Sequence, residues 1–418
     1  MTEITIDSDR LYRSIEELGA VGSYRDDVAG CDGVRRVALT DEDASGRRQV
    51  VAWMREAGLD VSVDAIGNVF ASRSGREPEL APVMVGSHID SVPTGGAFDG
   101  ALGVLGGLEI VRALAAADVM TRRPIVVAFF TEEEGCRFGT DMLGSAVATG
   151  RIALDAAYEI TDAAGKSVGG ELERIGFRGD EPVGQRRPHA FVECHIEQGP
   201  VLAHGGEQVG VVTGVQGISW FELSLTGHSA HAGTTPTSFR KDAGLCAARI
   251  NVALRDLVDS GVHGDLRATM GVHRPHPGVV NVVPGRCVAT VDLRNPDDAA
   301  MAAAERDFRA LLEERARADG VDIDCRQTAR TAMVPFDDRV QDVIEESATA
   351  RGYSHRRILS GAGHDAQEWA RVCPTAMIFV PGEHDGISHN PRELSTPAQC
   401  ARGVQVQCDT VVMLAEEG

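Results

Sequence analysis

The sequence contains no pair of cysteines spaced as Cys-x-x-Cys and no long apolar run. Its nine cysteines are scattered along 418 residues, so neither a thiolate zinc knuckle nor a disulfide framework is indicated. No apolar stretch approaches the roughly 18 residues that a membrane-spanning helix requires. Residues 1–9 are polar and acidic, unlike a signal peptide. We therefore expect a cytoplasmic protein that has no membrane partner.

Positive charge is also scarce. The chain has 41 lysines and arginines against 62 aspartates and glutamates, which gives a formal net charge of −21. An acidic chain repels nucleic acid and anionic membrane surfaces, so we expect neither as a partner. An anionic small molecule would have to bind through a few locally placed arginines. The chain is 43% hydrophobic, which is enough for a sizeable core, and its length suggests two domains.

Short apolar strands alternate with helices through most of the chain. This pattern predicts an α/β fold in which helices cover a mixed sheet on both faces. The order changes to β-α-β-β-α-β in the middle, which is the ferredoxin-like α+β arrangement. We therefore expect a main domain formed by residues 1–212 and 331–418, with a smaller domain, residues 213–330, inserted between them.

The stretch 86–100 is a candidate metal cradle. It follows a short apolar strand and precedes an apolar helix at 101–117. His88 ends the strand, and Asp90 could hold its second ring nitrogen, which fixes the tautomer of a metal-ligating histidine. Asp99 follows in a glycine-rich loop that can fold closely around an ion. The alternative is an ordinary strand–loop–helix connection with solvated polar side chains.

Three further strand ends carry suitable groups. Glu133 and Glu134 follow the apolar strand at 124–130, His195 ends another strand, and His389 follows a late one. Adjacent carboxylates repel each other unless a cation or proton intervenes. One glutamate could therefore bind a metal while the other takes a proton from water, although an acidic surface loop would look the same.

Strand ends converge on one crevice at the carboxyl edge of an α/β sheet. Nitrogen and oxygen ligands without thiolates suit two zinc-like ions bridged by one carboxylate. The sequence therefore predicts a shared metal site formed by His88, Asp99, Glu134, His195 and His389.

The inserted domain and a later loop add polar candidates. His228 or His231, in a polar loop, could stabilise the oxyanion of a tetrahedral intermediate. Asn281 is a further candidate, and Arg294 could clamp a carboxylate with two hydrogen bonds. His364 lies in a glycine-rich loop before a helix, where it could reach a substrate together with backbone amides.

These motifs resemble those of one family of enzymes. It comprises the N-carbamoyl-L-amino acid hydrolases, β-ureidopropionases and allantoate amidohydrolases, within the aminoacylase/carboxypeptidase superfamily. The similar motifs span most of the chain. They are Gly-Ser-His-Ile-Asp at 86–90, Gly-Gly-Ala-Phe-Asp-Gly at 95–100, Glu-Glu-Gly-Cys-Arg-Phe at 133–138, His-Ile-Glu-Gln-Gly-Pro at 195–200, His-Ala-Gly-Thr-Thr-Pro at 231–236, Ser-Gly-Ala-Gly-His-Asp at 360–365 and Ile-Ser-His-Asn-Pro at 387–391.

The resemblance implies roles for individual residues. It makes Glu133 the general base and favours His231 over His228 as the oxyanion donor. It implies that the main domain is catalytic, and that the inserted domain is a lid through which the protein forms a homodimer, with some lid residues reaching the neighbouring active site. The implied ligands of two divalent metal ions (Zn, or Mn, Co or Ni) are His88, Asp99 as the bridge, Glu134, His195 and His389. The implied substrate contacts are Gln198, Asn281, Arg294 and His364.

The expected reaction is hydrolysis of the ureido C–N bond of an N-carbamoyl-L-amino acid. Allantoate is the main alternative substrate, and an aminoacylase or dipeptidase would share the metals. A serine amidase built on Ser238 and Lys241, an S-x-x-K match, is disfavoured because no S-D-N or K-T-G motif follows. A non-catalytic binding protein would require a broken ligand set, and none of the five ligands is missing.

Overall fold

The computed structural model describes residues 4–418, and the chain divides into two compact units. The first unit consists of Met1–Gly214 and Pro335–Gly418, and the second of Val215–Val334. Among the described residues, none of the helices has both the length and the apolar character needed to cross a bilayer.

The first unit begins with a mixture of helices and short strands. Thr40 shows how the sequence sets a helix start, because its side chain accepts a hydrogen bond from the Asp43 amide. The elements are α1 (Ser8–Gly19), β1 (Ser23–Asp26), β2 (Cys31–Val34), α2 (Asp41–Glu56), β3 (Asp60–Val63), β4 (Val69–Arg73), β5 (Val83–His88), α3 (Ala101–Ala116), β6 (Ile125–Phe130), α4 (Leu143–Ala148), α5 (Leu154–Tyr158), α6 (Val168–Ile175), β7 (Ala190–Ile196), α7 (Val201–Gly205) and β8 (Val209–Val215).

The second unit is an antiparallel sheet with two helices. Its sheet has the order β11-β13-β9-β14, and side chains of both helices pack with those of the sheet in one apolar core that includes Phe221, Ile250 and Phe308. The elements are β9 (Gly217–Thr226), β10 (Ala230–His231), α8 (Ala243–Asp259), β11 (Arg267–His276), β12 (Val282–Val283), β13 (Arg286–Asn295), α9 (Asp298–Asp319) and β14 (Asp322–Thr331).

The chain then returns to the first unit. The last helix starts with a capping box between Thr396 and Gln399 and has Pro397 at its first position, which is a strong start signal. The elements are β15 (Val334–Pro335), α10 (Asp338–Ala350), β16 (His355–Ser360), α11 (Asp365–Trp369), β17 (Thr375–Val380) and α12 (Pro397–Glu416).

A mixed sheet forms the centre of the first unit. Its order is β15-β8-β17-β7-β5-β6-β4-β3, with β16 paired to β8. The four middle strands, β17, β7, β5 and β6, are parallel, whereas β8, β4 and β3 run antiparallel to their neighbours. The α/β fold with a mixed sheet predicted from the sequence is therefore confirmed.

Helices cover both faces of this sheet. Gly107 of α3 lies against Val85 and Val127 on one face. Trp369 of α11 packs against Phe130 and Phe191, which point to the opposite face because side chains alternate along a strand. The four parallel strands are therefore buried on both sides, and their carboxyl ends open on the same edge of the sheet.

Candidate metal centre and active site

The parallel strands bring their terminal residues together. His88 is the last residue of β5, and His195 is the second last of β7. The centroids of their rings are 6.0 Å apart. Glu133 follows the end of β6 and places its Oε2 3.5 Å from Nε2 of His88. The convergence of strand ends expected from the sequence is thus observed for these three strands.

Asp99 lies at the centre of the cluster. Its Oδ1 is 3.5 Å from Nε2 of His88 and 3.1 Å from Nε2 of His195, and its Oδ2 is 3.5 Å from Nε2 of His389. Nε2 of His389 is also 3.1 Å from Oε2 of Glu134. Among the described residues, three groups have the spacing of metal ligands, and Asp99 belongs to two of them: His88, Asp99 and His195, and Asp99, Glu134 and His389. The third group is Glu193, His195 and His364.

The two buried histidines are oriented by main-chain carbonyls. Nδ1 of His88 is 3.0 Å from the carbonyl oxygen of Asp90, and Nδ1 of His195 is 2.9 Å from that of Ile196. These bonds require a hydrogen on Nδ1, so each Nε2 faces the carboxylates. That is the orientation in which a second partner usually holds a metal-ligating histidine.

Gly100 shows how closely the chain surrounds this point. Its φ is +63°, and a Cβ atom there would lie 2.4–2.5 Å from ring atoms of His88. Only glycine fits such a position. Nitrogen and oxygen donors, a shared carboxylate and a close-fitting loop together suit divalent cations.

The electrostatics also favour a cation. Burial alone would lower the pKa of His88, but the carboxylates of Glu133 and Asp99 outweigh it and raise that pKa well above its usual value. Burial raises the pKa of Glu133 well above its usual range, although His88 acts in the opposite direction. The site therefore draws in positive charge, which protons or metal ions can supply.

Asp90 contributes differently from the sequence-based expectation. Its carboxylate Oδ1 is 3.8 Å from Nδ1 of His88, beyond hydrogen-bond distance, and the carbonyl of Asp90 takes that place. The two carboxylate oxygens instead accept long hydrogen bonds of 3.4 Å from the amides of Glu133 and Glu134. The physical reason is that β5 ends at His88, so the strand alternation that would align the two side chains does not continue to Asp90.

Gln198 and His364 lie beside the metal candidates. Nε2 of Gln198 donates to Oδ2 of Asp99 at 2.8 Å, and its Oε1 is buried without a hydrogen-bond partner in the part of the chain that the structure describes. The ring of His364 is 4.5 Å from that of His195 between centroids, and its Nε2 is paired with the hydroxyl of Ser360. Burial holds the pKa of His364 well below its usual value.

The second unit brings His231 and Asn281 together. His231 is in β10, which pairs with β12 directly after Asn281, and the carbonyl of Asn281 accepts from the Ala232 amide. Nδ1 of His231 accepts from the amides of Gly233 and Thr234 at 3.0 and 3.3 Å. A nitrogen that accepts carries no hydrogen, so the neutral ring has its hydrogen on Nε2 and can donate from there.

Arg294 lies in β13 of the four-stranded sheet, not in the two-stranded sheet of β10 and β12. The tip that holds Asn281 joins β13 at Arg286, whereas Arg294 pairs with Ile218 and Arg267 eight residues further on. At about 3.4 Å per residue, these eight residues span roughly 27 Å. The Arg294 guanidinium also donates to Asp292 at 3.0 Å. Arg294 thus lies at the end of β13 that is remote from Arg286.

The sequence does not predict roles for Ser388, Glu393 or Glu132 at the site. Ser388 and Glu393 contact Asp99 or its amide, and Glu132 accepts the amides of Arg137 and Phe138 within the loop after β6. One signal in the sequence could have linked Glu393 to the site. Glu393 lies four residues after His389, just beyond Pro391. Glu132, Gln198 and His389 all have positive φ values, and such strained backbone clusters at functional sites.

The chain matches a known protein family. The sequence model of peptidase family M20/M25/M40 matches residues 84–412. The N-carbamoyl-L-amino-acid amidohydrolase of Rhizobium meliloti is 42% identical over 98% of this chain and 97% of its own. The allantoate amidohydrolase of Bacillus subtilis (strain 168) is 34% identical over 96% of each chain.

A solved structure is similar over almost the full length. It is an amidase of the hydantoinase/carbamoylase family from Burkholderia multivorans, with a TM-score of 0.93 and 43% sequence identity. The similarity covers 99% of both chains.

We expect replacement of the shared carboxylate to remove more metal than replacement of a terminal ligand. Asp99→Asn should lose most bound divalent metal, because Asp99 belongs to both of these groups, whereas His389→Ala should keep the metal-binding capacity of His88, Asp99 and His195. Zinc retained after dialysis can be measured by mass spectrometry. His204→Ala, at a surface histidine on α7, is the control, and equal zinc loss in the Asp99 and His389 variants would contradict the shared role of Asp99.

Proposed function

The chain belongs to peptidase family M20/M25/M40, and from this we propose that it hydrolyses the ureido C–N bond of an N-carbamoyl-L-amino acid. The products are the L-amino acid, carbon dioxide and ammonia. The observation that carries the proposal is Asp99, shared between two groups of nitrogen and oxygen donors with Glu133 beside them. The names of two curated relatives, both N-carbamoyl-L-amino-acid amidohydrolases, support the ureido substrate.

We propose two divalent cations as cofactors, with zinc as the first candidate and manganese, cobalt or nickel as alternatives. His88 and His195 would hold one, Glu134 and His389 the other, and Asp99 would bridge them. Such ions supply Lewis-acid polarisation of the substrate oxygen and make a water molecule acidic near neutral pH. The protein itself provides the fixed donors, the proton transfers and the orientation of the substrate.

Glu133 is the proposed general base. It takes a proton from the attacking water, whose oxygen then bonds to the carbamoyl carbon. The same carboxyl returns this proton to the substrate nitrogen as the C–N bond breaks. Burial raises its pKa well above the usual range, which suits a group that both accepts and donates a proton. The free amino acid leaves, and the carbamic acid left behind decomposes to carbon dioxide and ammonia.

His231 is the proposed oxyanion donor. Two main-chain amides occupy its Nδ1, so the Nε2 hydrogen is available for the negative oxygen of the tetrahedral intermediate. Gln198, whose Oε1 is buried without a partner among the described residues, is a proposed contact for the ureido amide hydrogens. His364 is a proposed substrate contact next to His195.

Asn281 and Arg294 are the proposed contacts of the substrate carboxylate. From the resemblance of the motifs we also propose a homodimer in which the second unit acts as a lid. The nine free cysteines support a reducing, cytoplasmic location.

Allantoate is the second candidate substrate, because the match to an allantoate amidohydrolase covers nearly the whole chain. An aminoacylase or dipeptidase activity is a weaker alternative, since two curated relatives are named as enzymes that act on ureido substrates.

The substrate can be identified by measuring ammonia release. We expect a higher kcat/KM for N-carbamoyl-L-methionine than for allantoate, loss of activity after treatment with a chelator, and recovery when zinc or manganese is added. The D-enantiomer and N-acetyl-L-methionine serve as controls and should release no ammonia and no amino acid, respectively. A higher kcat/KM for allantoate would support the second candidate instead.

Replacement of the general base should separate chemistry from metal binding. We expect Glu133→Gln to reduce kcat by about 10²–10⁴-fold, the usual contribution of a positioned acid–base group, with little change in zinc content. Steady-state kinetics and metal analysis on the same preparation check this. Near-wild-type turnover with full metal content would refute the assignment.

Two histidines in one loop provide a matched pair. His231→Ala should reduce kcat by about 10²–10³-fold, as the loss of an oxyanion donor does. His228→Ala, three residues earlier, should stay within a small factor of the wild type. Equal losses in both variants would mean that the loop as a whole matters and not the Nε2 hydrogen of His231.

A further inference from the structure

Glu393 connects two loops that carry candidate metal ligands. Its Oε1 accepts hydrogen bonds from the amides of Phe98 and Asp99, each at 3.0 Å. Its Oε2 is 2.9 Å from the hydroxyl of Ser388. The side chain is 6% exposed, so solvent cannot replace these partners easily. One carboxylate thus links the loop before α3 to the loop after β17.

Ser388 extends this connection to the carboxylate of Asp99. The hydroxyl of Ser388 is 2.9 Å from Oδ2 of Asp99, and Gln198 donates to the same oxygen. Both polar contacts hold Oδ2 on one side, so Oδ1 stays turned towards His88 and His195. The rotation of the shared carboxylate is therefore set by groups that are not themselves metal-ligand candidates.

The packing around Glu393 leaves little room for another arrangement. A Cβ atom on Gly96 would lie 2.5 Å from Cβ of Glu393, so the glycine-rich loop closes directly on this side chain. Without the carboxylate, two buried amides would lose their acceptor. The loop that carries Asp99 would then be free to shift relative to the loop that carries His389.

We propose that Glu393 is a positioning residue that sets the spacing between Asp99 and His389 and the rotation of the Asp99 carboxylate. It touches neither substrate nor metal and acts through Asp99 and Ser388. The inference rests on the proposed ligand roles of Asp99 and His389. Partners behind metal ligands usually change metal affinity by about 10–100-fold when they are removed.

Three substitutions at this position distinguish hydrogen bonding from charge. Glu393→Gln keeps an oxygen for the two amides and an amide group that can donate to Ser388, so its zinc affinity should stay close to the wild type. Glu393→Ala and Glu393→Asp remove or shorten the connection, and each should weaken zinc binding by about 10–100-fold. Affinity is measured by competition with a chromophoric chelator. Since Glu393 makes no contact with the reacting atoms, excess zinc should restore kcat in both weakened variants.

Glu109 provides a matched control. It is also a buried glutamate that accepts a main-chain amide, that of Asp7, and pairs with Arg10 in the first unit. Glu109→Ala should lower thermal stability while leaving zinc affinity unchanged. If Glu393→Ala does not fold, the comparison of Glu393→Asp with Glu393→Gln decides the question.

The proposal is overturned if Glu393→Asp binds zinc as tightly as the wild type, or if Glu393→Gln is as weak as Glu393→Asp. It is also overturned if excess zinc leaves kcat low in folded Glu393→Ala, because the residue would then act in the chemistry. Failure of the wild-type protein to bind zinc, manganese or cobalt would be a different result, since it would remove the proposed function itself.

Discussion

The carboxylate of Asp99 is the interaction on which the candidate site depends. Its two oxygens lie 3.1–3.5 Å from the Nε2 atoms of three histidines. Those histidines come from β5, β7 and the loop after β17. A parallel sheet can deliver two of them to one edge, but only a loop that closes tightly can place a carboxylate between them. Gly100 allows that close approach, and the amides of Phe98 and Asp99 are held by Glu393. Distant parts of the chain are thus joined through one acidic group.

Much of this arrangement could be predicted from the sequence, for a simple physical reason. Apolar strands that alternate with helices become parallel neighbours, so residues such as His88 and His195 at their carboxyl ends must meet. The helix starts at Thr40 and Asp297 also depend on local signals, because each side chain accepts a hydrogen bond that caps the first turn. Local patterns and strand polarity carry this information without any knowledge of the tertiary structure.

Other features could not be read in this way. The side chain of Asp90 turns to the amides of Glu133 and Glu134 because β5 ends at His88, two residues before Asp90. The pairing of Arg294 with Ile218 and Arg267 depends on strand register, which a sequence pattern does not specify. The strands β8 and β16 were also not predicted. In each case the outcome depends on where a strand stops or which neighbour it selects.

The turn that holds His389 and Glu393 has a consequence for evolution of the chain. Asn390 accepts the Arg392 amide through its side chain and the Glu393 amide through its carbonyl, so the four residues Asn390–Glu393 form one closed turn directly after His389. Arg392 points outward and is exposed, so other side chains can replace it at this position. An insertion or deletion anywhere between His389 and Glu393 would displace both ends at once. In related sequences this segment should therefore vary in composition while keeping a constant length.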